Sequence, residues 1–137
     1  MHRWTGLTVA LTAASQASAQ GFETIQTPSH NIFCMASPAA SGQPSDVRCD
    51  LQAMTNRPPP PGDCPLSYGD SYYVDATGRG GLVCHGDTVR APDATVLAYG
   101  QTWRIYGFTC LSQTTGLTCT NGQGHGFTVS REAQKAF

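Results

Sequence analysis

Charged side chains are scarce in this sequence, and no stretch of it carries a run of one sign. Asp, Glu, Lys and Arg make up 12% of the 137 residues, and eight basic residues stand against nine acidic ones, for a net charge of −1. Nucleic acids and anionic membranes are polyanions that a basic patch must recognise. The sequence therefore predicts neither nucleic-acid binding nor electrostatic attachment to a membrane surface.

Long apolar runs are also missing, so the sequence predicts no transmembrane helix, which needs about 20 consecutive apolar residues. The short apolar stretch at residues 4–14 follows a basic start, Met1-His2-Arg3, and precedes the small-residue sequence Ala17-Ser18-Ala19. This order is typical of a secretory signal peptide. We therefore expect residues 1–19 to be a signal peptide and residues 20–137 to form a single exported domain, periplasmic or secreted.

No Cys-x-x-Cys pair, the spacing typical of structural zinc sites, occurs among the six cysteines. All six follow residue 19, and an even number in an exported chain indicates disulfides rather than metal ligands or catalytic thiols. We expect no metal and no cofactor.

Glycine, proline, serine and threonine are abundant, which favours an all-β fold, either a small disulfide-stapled sandwich or a partly open barrel. Residues 22–51 predict an edge strand, a buried strand and, after a long loop, a third strand. Residues 102–129 predict a three-stranded meander, with residues 102–111 as its first strand and Asn121-Gly122 as a hairpin turn. Ser130 is expected to cap a short C-terminal helix over residues 131–136.

This strand layout predicts how the cysteines pair. Cysteines that flank a hairpin loop lie on neighbouring strands, where opposed positions bring Cβ atoms to the roughly 4 Å that a disulfide needs. Two pairs meet this condition, and the third follows by elimination. The predicted bridges are Cys34–Cys49, Cys110–Cys119 and Cys64–Cys84, the last of which would pin the proline-rich loop at residues 57–62.

Three residues are compact candidates for acid–base or metal chemistry. His85 and Asp87 lie at a predicted strand end, and His125 lies in a glycine-rich hairpin. If the two segments met, the three side chains could bind a metal or transfer protons. A histidine between glycines more commonly packs or bonds to backbone, and Asp87-Thr88 fits a turn. A small hydrolase or metal-dependent enzyme using these three residues is therefore the alternative interpretation.

The aromatic residues favour a binding function. Tyr72 and Tyr73 are consecutive, so in a strand one of them must point away from the core. Tyrosine and tryptophan are frequent anchors in recognition, and Trp103 lies in another β-rich segment. The predicted function is an exported, non-catalytic binding module with a protein or glycan partner. Its candidate binding residues are Tyr72, Tyr73, Trp103, His85, Asp87 and His125, and no catalytic residue is assigned.

Short motifs along the chain carry a family resemblance. They are Pro28-Ser29-x-Asn31-Ile32-x-Cys34, Arg48-Cys49-Asp50, Cys84-x-Gly86-Asp87-Thr88, Leu97-x-Tyr99-Gly100, Gly116-Leu117-Thr118-Cys119-x-Asn121 and Gly124-His125-Gly126-Phe127-x-x-Ser130-Arg131. The pattern resembles a family of small exported bacterial domains of uncharacterised function, and it covers almost all of residues 20–137. The resemblance implies bacterial origin, export and one domain, and it implies no activity. His30 departs from the pattern, because the family commonly has a glycine at this turn position.

Overall fold

The computed structural model describes residues 6, 9–10 and 21–137 of the chain. The predicted signal peptide, residues 1–19, lies outside the described residues except at positions 6, 9 and 10. The described part contains eleven β-strands and no helix, which confirms the all-β class. Within it, therefore, no helix has the length and apolar character needed to cross a membrane.

The strands form two sheets, one of six strands and one of five. The first sheet contains β1 (Glu23–Gln26), β2 (Ile32–Ser37), β3 (Asp46–Leu51), β4 (Ser71–Asp75), β5 (Gly81–Leu82) and β6 (Thr95–Val96). The second contains β7 (Thr102–Ile105), β8 (Phe108–Gln113), β9 (Gly116–Thr120), β10 (Gly126–Val129) and β11 (Gln134–Ala136). The predicted architecture was a sandwich or a partly open barrel, and the described residues form two separate sheets and no closed barrel.

The first sheet is built on the predicted hairpin of β2 and β3. Cys34 lies directly opposite Cys49, and the loop between the two strands closes the hairpin. β1 and β4 add antiparallel on either side, and the full order is β5-β4-β3-β2-β1-β6. β1 was expected at the edge, but the short strand β6 pairs parallel to it and covers that edge.

The meander of the second sheet has one more turn than the sequence predicts. Tyr106 and Gly107 both adopt positive φ, 49° and 86°, so the chain reverses between β7 and β8. Two consecutive positive φ values are the geometry of a tight type I′ hairpin turn. Residues 102–111 are therefore two strands, because a tyrosine in the first turn position gave no turn signal.

The hairpin turn predicted at Asn121-Gly122 is present, although a side chain shapes it rather than positive φ at those two residues. The Asn121 Oδ1 accepts hydrogen bonds from the backbone N–H groups of Gln123 and His125. Positive φ occurs instead at Gly124. The loop therefore spans the five residues between β9 and β10.

The predicted C-terminal helix over residues 131–136 is wrong, because residues 131–133 are not helical and residues 134–136 form β11, which pairs antiparallel with β10. The Ser130 hydroxyl accepts a hydrogen bond from the Ala133 N–H, as a cap would, but it closes a turn rather than a helix. A helix of six residues is marginal in water by itself. The edge of β10 offers the same backbone groups a full set of strand partners.

The inner faces of the two sheets pack on each other through alternate residues of each strand. Tyr72 of β4 meets Phe127 of β10 with ring centroids 6.2 Å apart. Two disulfides, Cys34–Cys49 and Cys110–Cys119, lie in this core. The third, Cys64–Cys84, joins the loop after β3 to the chain after β5. The structure thus contains the three sequential pairs that the strand layout predicts.

Residues 83–94, here called the crossing segment, run over the outer face of the first sheet from its β5 edge to its β6 edge. The segment contacts β4, β3, β2 and β1 in that order. Hydrogen bonds join Val83 to Ser71, Thr88 to Asp50 and Ala94 to Gln26, and the Arg90 guanidinium lies over the Phe33 ring. This path carries the chain from the β5 edge to the opposite edge of the sheet, which is why β6 pairs with β1.

Candidate functional site

His85 belongs to the crossing segment, and its side chain is 8% exposed. Its Nε2 is 2.8 Å from Oδ1 of Asp70, and its Nδ1 is 2.6 Å from the backbone carbonyl oxygen of Asp87. Carbonyl and carboxylate oxygens only accept, so both contacts are satisfied when the imidazole donates from each ring nitrogen. With both nitrogens engaged in this way, neither offers a lone pair with which to bind a metal or take up a proton.

Asp87 joins the same polar cluster through Arg48. Its carboxylate is 74% exposed and receives a 3.0 Å ion pair from Nη1 of Arg48. Hydrogen bonding to Arg48, together with that residue's positive charge, holds the pKa of Asp87 below its usual range. The same guanidinium also bonds the buried carboxylate of Asp50 on the sheet beneath. Asp87 therefore adds a solvent-exposed ion pair between the crossing segment and the first sheet.

His125 is not brought to His85 and Asp87. It lies in the β9–β10 loop, whose Asn121 side chain donates to the carbonyl oxygens of Asp75 and Gly78, at the far end of β4. His85 lies at the near end of β4, and the five-residue strand separates the two ends by about 13 Å. Within the described residues, no hydrogen bond joins the two histidines, and no group of three or more His, Cys, Asp or Glu residues could hold a metal.

The three candidate aromatic residues also lie apart. Tyr72 is 4% exposed and belongs to the core, while Tyr73 is 37% exposed on the outer face of β4, as their alternation requires. Trp103 is half-buried and packs against the core from the edge strand β7 of the other sheet. The three side chains do not share a surface.

One end of the sandwich instead forms a groove of about 350 Å³, here called the end groove. Four turns build it, and they come from distant parts of the sequence. Its lining residues are Thr27, Ser29, His30, Asn31, Ile32, Tyr99, Gln113, Thr114, Gly116, Ser130, Arg131 and Glu132.

The walls of the end groove are fixed before any ligand arrives. The Asn31 side chain both donates to and accepts from the backbone of Ala53, at 2.9 and 2.7 Å. The Arg131 carbonyl accepts from the N–H of Thr55, and the Ser130 turn closes beside it. Because these bonds tie neighbouring turns to one another, a ligand would not have to order the backbone at the groove.

His30 is a groove residue that the sequence analysis did not select. Its φ is 58°, a left-handed conformation that glycine adopts without strain and histidine does not. Its Nδ1 lies 2.7 Å from Oε1 of the buried Gln26. The Gln26 amide nitrogen donates to the carbonyls of Pro92 and Ala94, so Oε1 must be the acceptor and Nδ1 the donor. The sequence signal that could have selected this residue is its place in the predicted turn at residues 28–31.

Several polar groups at the end groove have no hydrogen-bond or ion-pair partner within the described part of the chain. Tyr99 is 46% exposed and lines the groove beside them. The set comprises the Gln113 amide, the Thr114 hydroxyl, the Tyr99 hydroxyl, the Arg131 guanidinium and the Glu132 carboxylate. An aromatic face next to convergent polar groups is the usual composition of a small-ligand site.

The model of a family of unknown function, DUF6636, matches residues 5–137 of the chain. The chain belongs to DUF6636. No curated protein and no solved structure matches it. In this DUF6636 chain, seven lining residues of the end groove belong to the motifs quoted above, namely Ser29, Asn31, Ile32, Tyr99, Gly116, Ser130 and Arg131. The motifs are scattered in the sequence and meet at one end of the fold.

Raising the pH is expected to weaken this DUF6636 fold through His85. Burial alone lowers the pKa of His85, but hydrogen bonds to Asp70 and the Asp87 carbonyl, with the charges of Asp70 and Asp50, raise it overall. Because the pKa of His85 is higher in the folded than in the unfolded protein, binding of its proton stabilises the fold. This stabilisation is complete below the unfolded-state pKa of about 6.5, and it is lost as the pH rises through the folded-state pKa.

The measurement is the free energy of unfolding of wild type and His85→Gln from about pH 5.5 to about pH 9. The difference in the free energy of unfolding between the two proteins should become smaller as the pH rises, since glutamine does not titrate. The gap between wild type and His125→Gln should change less. A constant gap for His85→Gln would show that His85 is not cationic in the folded protein.

Proposed function

We propose that this chain is an exported, non-catalytic binding module that holds a glycan in its end groove. Three disulfides and the signal-like start of the sequence support export, because disulfides persist mainly outside the cytoplasm. The observation that carries the binding function is the end groove itself, a preformed cleft with an exposed tyrosine beside unengaged polar side chains.

The chemistry of the groove fits a sugar. A sugar ring has an apolar C–H face that stacks on an aromatic ring, and hydroxyl groups around its rim that both donate and accept. Tyr99 supplies the ring, and Gln113 supplies an amide that does both. His30 adds an Nε2 that no residue in the described part engages, since its Nδ1 is committed to Gln26.

The charges of the groove favour a neutral glycan over an anionic one. Arg131 and Glu132 are adjacent, exposed and opposite in charge, so their contributions to the electrostatic potential cancel beyond a few ångströms. Both can still accept or donate hydrogen bonds to hydroxyl groups at contact.

The size of the groove favours a glycan over a folded protein partner. A volume near 350 Å³ lies within the roughly 300–1,000 Å³ range of small-ligand sites. Stable protein interfaces bury about 800 Å² on each partner. The hydrolase alternative has less support, because His85 has both nitrogens engaged and His125 lies elsewhere.

Replacing Tyr99 with alanine is expected to weaken glycan binding about tenfold or more, because the stacking surface is lost. The purified oxidised protein would be screened on an array of envelope and extracellular glycans, and the best neutral binder measured by calorimetry. Gln113→Ala should weaken binding to the same glycan by removing an amide that both donates and accepts.

Tyr73→Ala is the matched control, since Tyr73 is an exposed tyrosine of similar accessibility on another face of the molecule. It should leave the glycan affinity unchanged. Equal losses for Tyr73→Ala and Tyr99→Ala, or no glycan binding by the wild-type protein, would contradict the proposal.

A further inference from the structure

The three disulfides differ in how far solvent reaches them. The four cysteines of the two core bridges are each 0% exposed and lie between the sheets. Cys64 is 9% exposed, and Cys84 is an exposed residue. A reductant therefore meets the Cys64–Cys84 bridge directly, whereas it reaches the others only after the sheets separate.

The exposed bridge ties down a segment that has few other attachments. Arg57 is held by the Tyr68 carbonyl and by Asp70, and Ser67 exchanges two backbone hydrogen bonds with His85. Between these anchors, the backbone hydrogen bonds of residues 58–66 in the described structure stay within the segment, as in Cys64 N–H to the Pro61 carbonyl. Residues 58–66 are here called the proline loop, and Cys64 is its bond to the rest of the protein.

We propose that Cys64–Cys84 is a site of thiol–disulfide exchange with dithiol reductants, and that opening it frees the proline loop while both sheets stay folded. The core bridges and the buried contacts of the two sheets do not involve this bond. The crossing segment also stays in place, because Thr88 and Val89 remain bonded to Asp50.

The exchange proceeds in two steps. A thiolate of the reductant attacks Sγ of Cys84, the more exposed cysteine; the bond to Cys64 breaks, and Cys64 leaves as a thiolate that takes up a proton. The second thiol of the reductant then attacks the reductant sulfur that is bonded to Cys84. This closes the disulfide of the reductant and releases Cys84 as a thiolate, which takes up a proton. Two electrons pass to the protein, which ends as a dithiol, and the reductant ends as a disulfide.

The test follows reduction cysteine by cysteine. The oxidised protein is incubated with dithiothreitol, free thiols are trapped by alkylation at intervals, and modified peptides are mapped by mass spectrometry. Cys64 and Cys84 should be trapped at least about a hundredfold faster than the other four cysteines, because the reductant reaches the core bridges only after the two sheets separate. Comparable rates, or earlier trapping at a core bridge, would overturn the proposal.

A second measurement reports on the loop. In the selectively reduced protein, ¹⁵N relaxation at Gly62, Asp63 and Leu66 should show order parameters below about 0.6, with the strands unchanged. The double variant Cys64→Ser/Cys84→Ser should show the same loop mobility and no fast alkylation. A rigid loop, or loss of order in β2, β3, β8 and β9, would also refute the proposal.

A parallel arm identifies the natural class of reductant. A protein dithiol of the thioredoxin type replaces dithiothreitol at equal concentration. Faster opening by the protein dithiol assigns the site to an oxidoreductase partner, and slower opening assigns it to small thiols.

Discussion

Replacing Gly126 with alanine is expected to destabilise the protein by about 3 kcal/mol or more, or to prevent it from folding. A Cβ at this position would overlap the carbonyl oxygen of Cys119 on the neighbouring strand β9. The obstacle is backbone rather than a flexible side chain, so the strands must move apart to relieve it. That movement would disturb the Cys119 end of a core disulfide and the packing of Phe127.

The close approach at Gly126 involves three segments. The backbone of Gly126 exchanges two hydrogen bonds with Phe137, and the Phe137 carbonyl also accepts from Gly80. A Cβ on Gly80 would in turn overlap the Gly126 carbonyl. Main chain from the β4–β5 turn, β10 and the end of β11 therefore meets here at distances that side chains would prevent.

Thermal and urea unfolding of Gly126→Ala measure the effect, which should lower the melting temperature by about 10–20 °C. Gly122→Ala is the matched control, since Gly122 lies in the same hairpin loop and a Cβ there would have no neighbour within 4 Å. Its melting temperature should change by only a degree or two, on the order of a surface substitution. Equal effects of the two variants would show that the close approach does not limit stability.

Local patterns were sufficient to predict most of the strands and the disulfides. Cys34 and Cys49 flank one loop and Cys110 and Cys119 flank one turn, so period-two alternation placed each pair on opposed positions. The errors occurred where tertiary contacts override propensity. Tyr106 takes positive φ in a tight turn, and residues 134–136 join a strand edge that a local helix signal does not reveal.

The candidate site was much harder to predict. The end groove combines turns around residues 27–31, 99, 113–116 and 130–132, and no local pattern says that these turns meet. His85 was predicted as a binding or acid–base residue together with His125, whereas its main hydrogen-bond partner, Asp70, lies 15 residues earlier on the loop before β4. Chemistry that depends on long-range neighbours is visible only after the topology is known.

Replacing Asp50 with asparagine is expected to cost about 3 kcal/mol or more, because it removes the anion that the crossing segment and the first sheet share. The Asp50 side chain is 3% exposed. Its Oδ1 accepts from Nε of Arg48 and from the Ser71 hydroxyl, and its Oδ2 accepts from the Thr88 hydroxyl and the Val89 N–H. An amide NH₂ in place of either oxygen cannot accept these hydrogen bonds, because its own hydrogens would face the hydrogens of the donors.

Asp87→Asn is the control for this prediction, since Asp87 pairs with the same guanidinium from a position that is 74% exposed. Exposed ion pairs contribute little, so the control should lose less than about 1 kcal/mol. Urea unfolding of both variants gives the comparison. If both losses were equally small, the buried carboxylate would not be what holds the crossing segment.

A double-variant cycle with Arg48→Met separates the two causes of the Asp50→Asn loss. Arg48 is 13% exposed, and without Asp50 its charge keeps, among the described residues, only the solvent-facing Asp87 as an ion-pair partner. If that stranded charge dominates, the double variant should lose clearly less than the sum of the single variants. If the losses add, the cost comes instead from Ser71, Thr88 and Val89, whose donors lose their acceptor. In the first case Asp50 neutralises a buried arginine, and in the second it organises the backbone of the crossing segment.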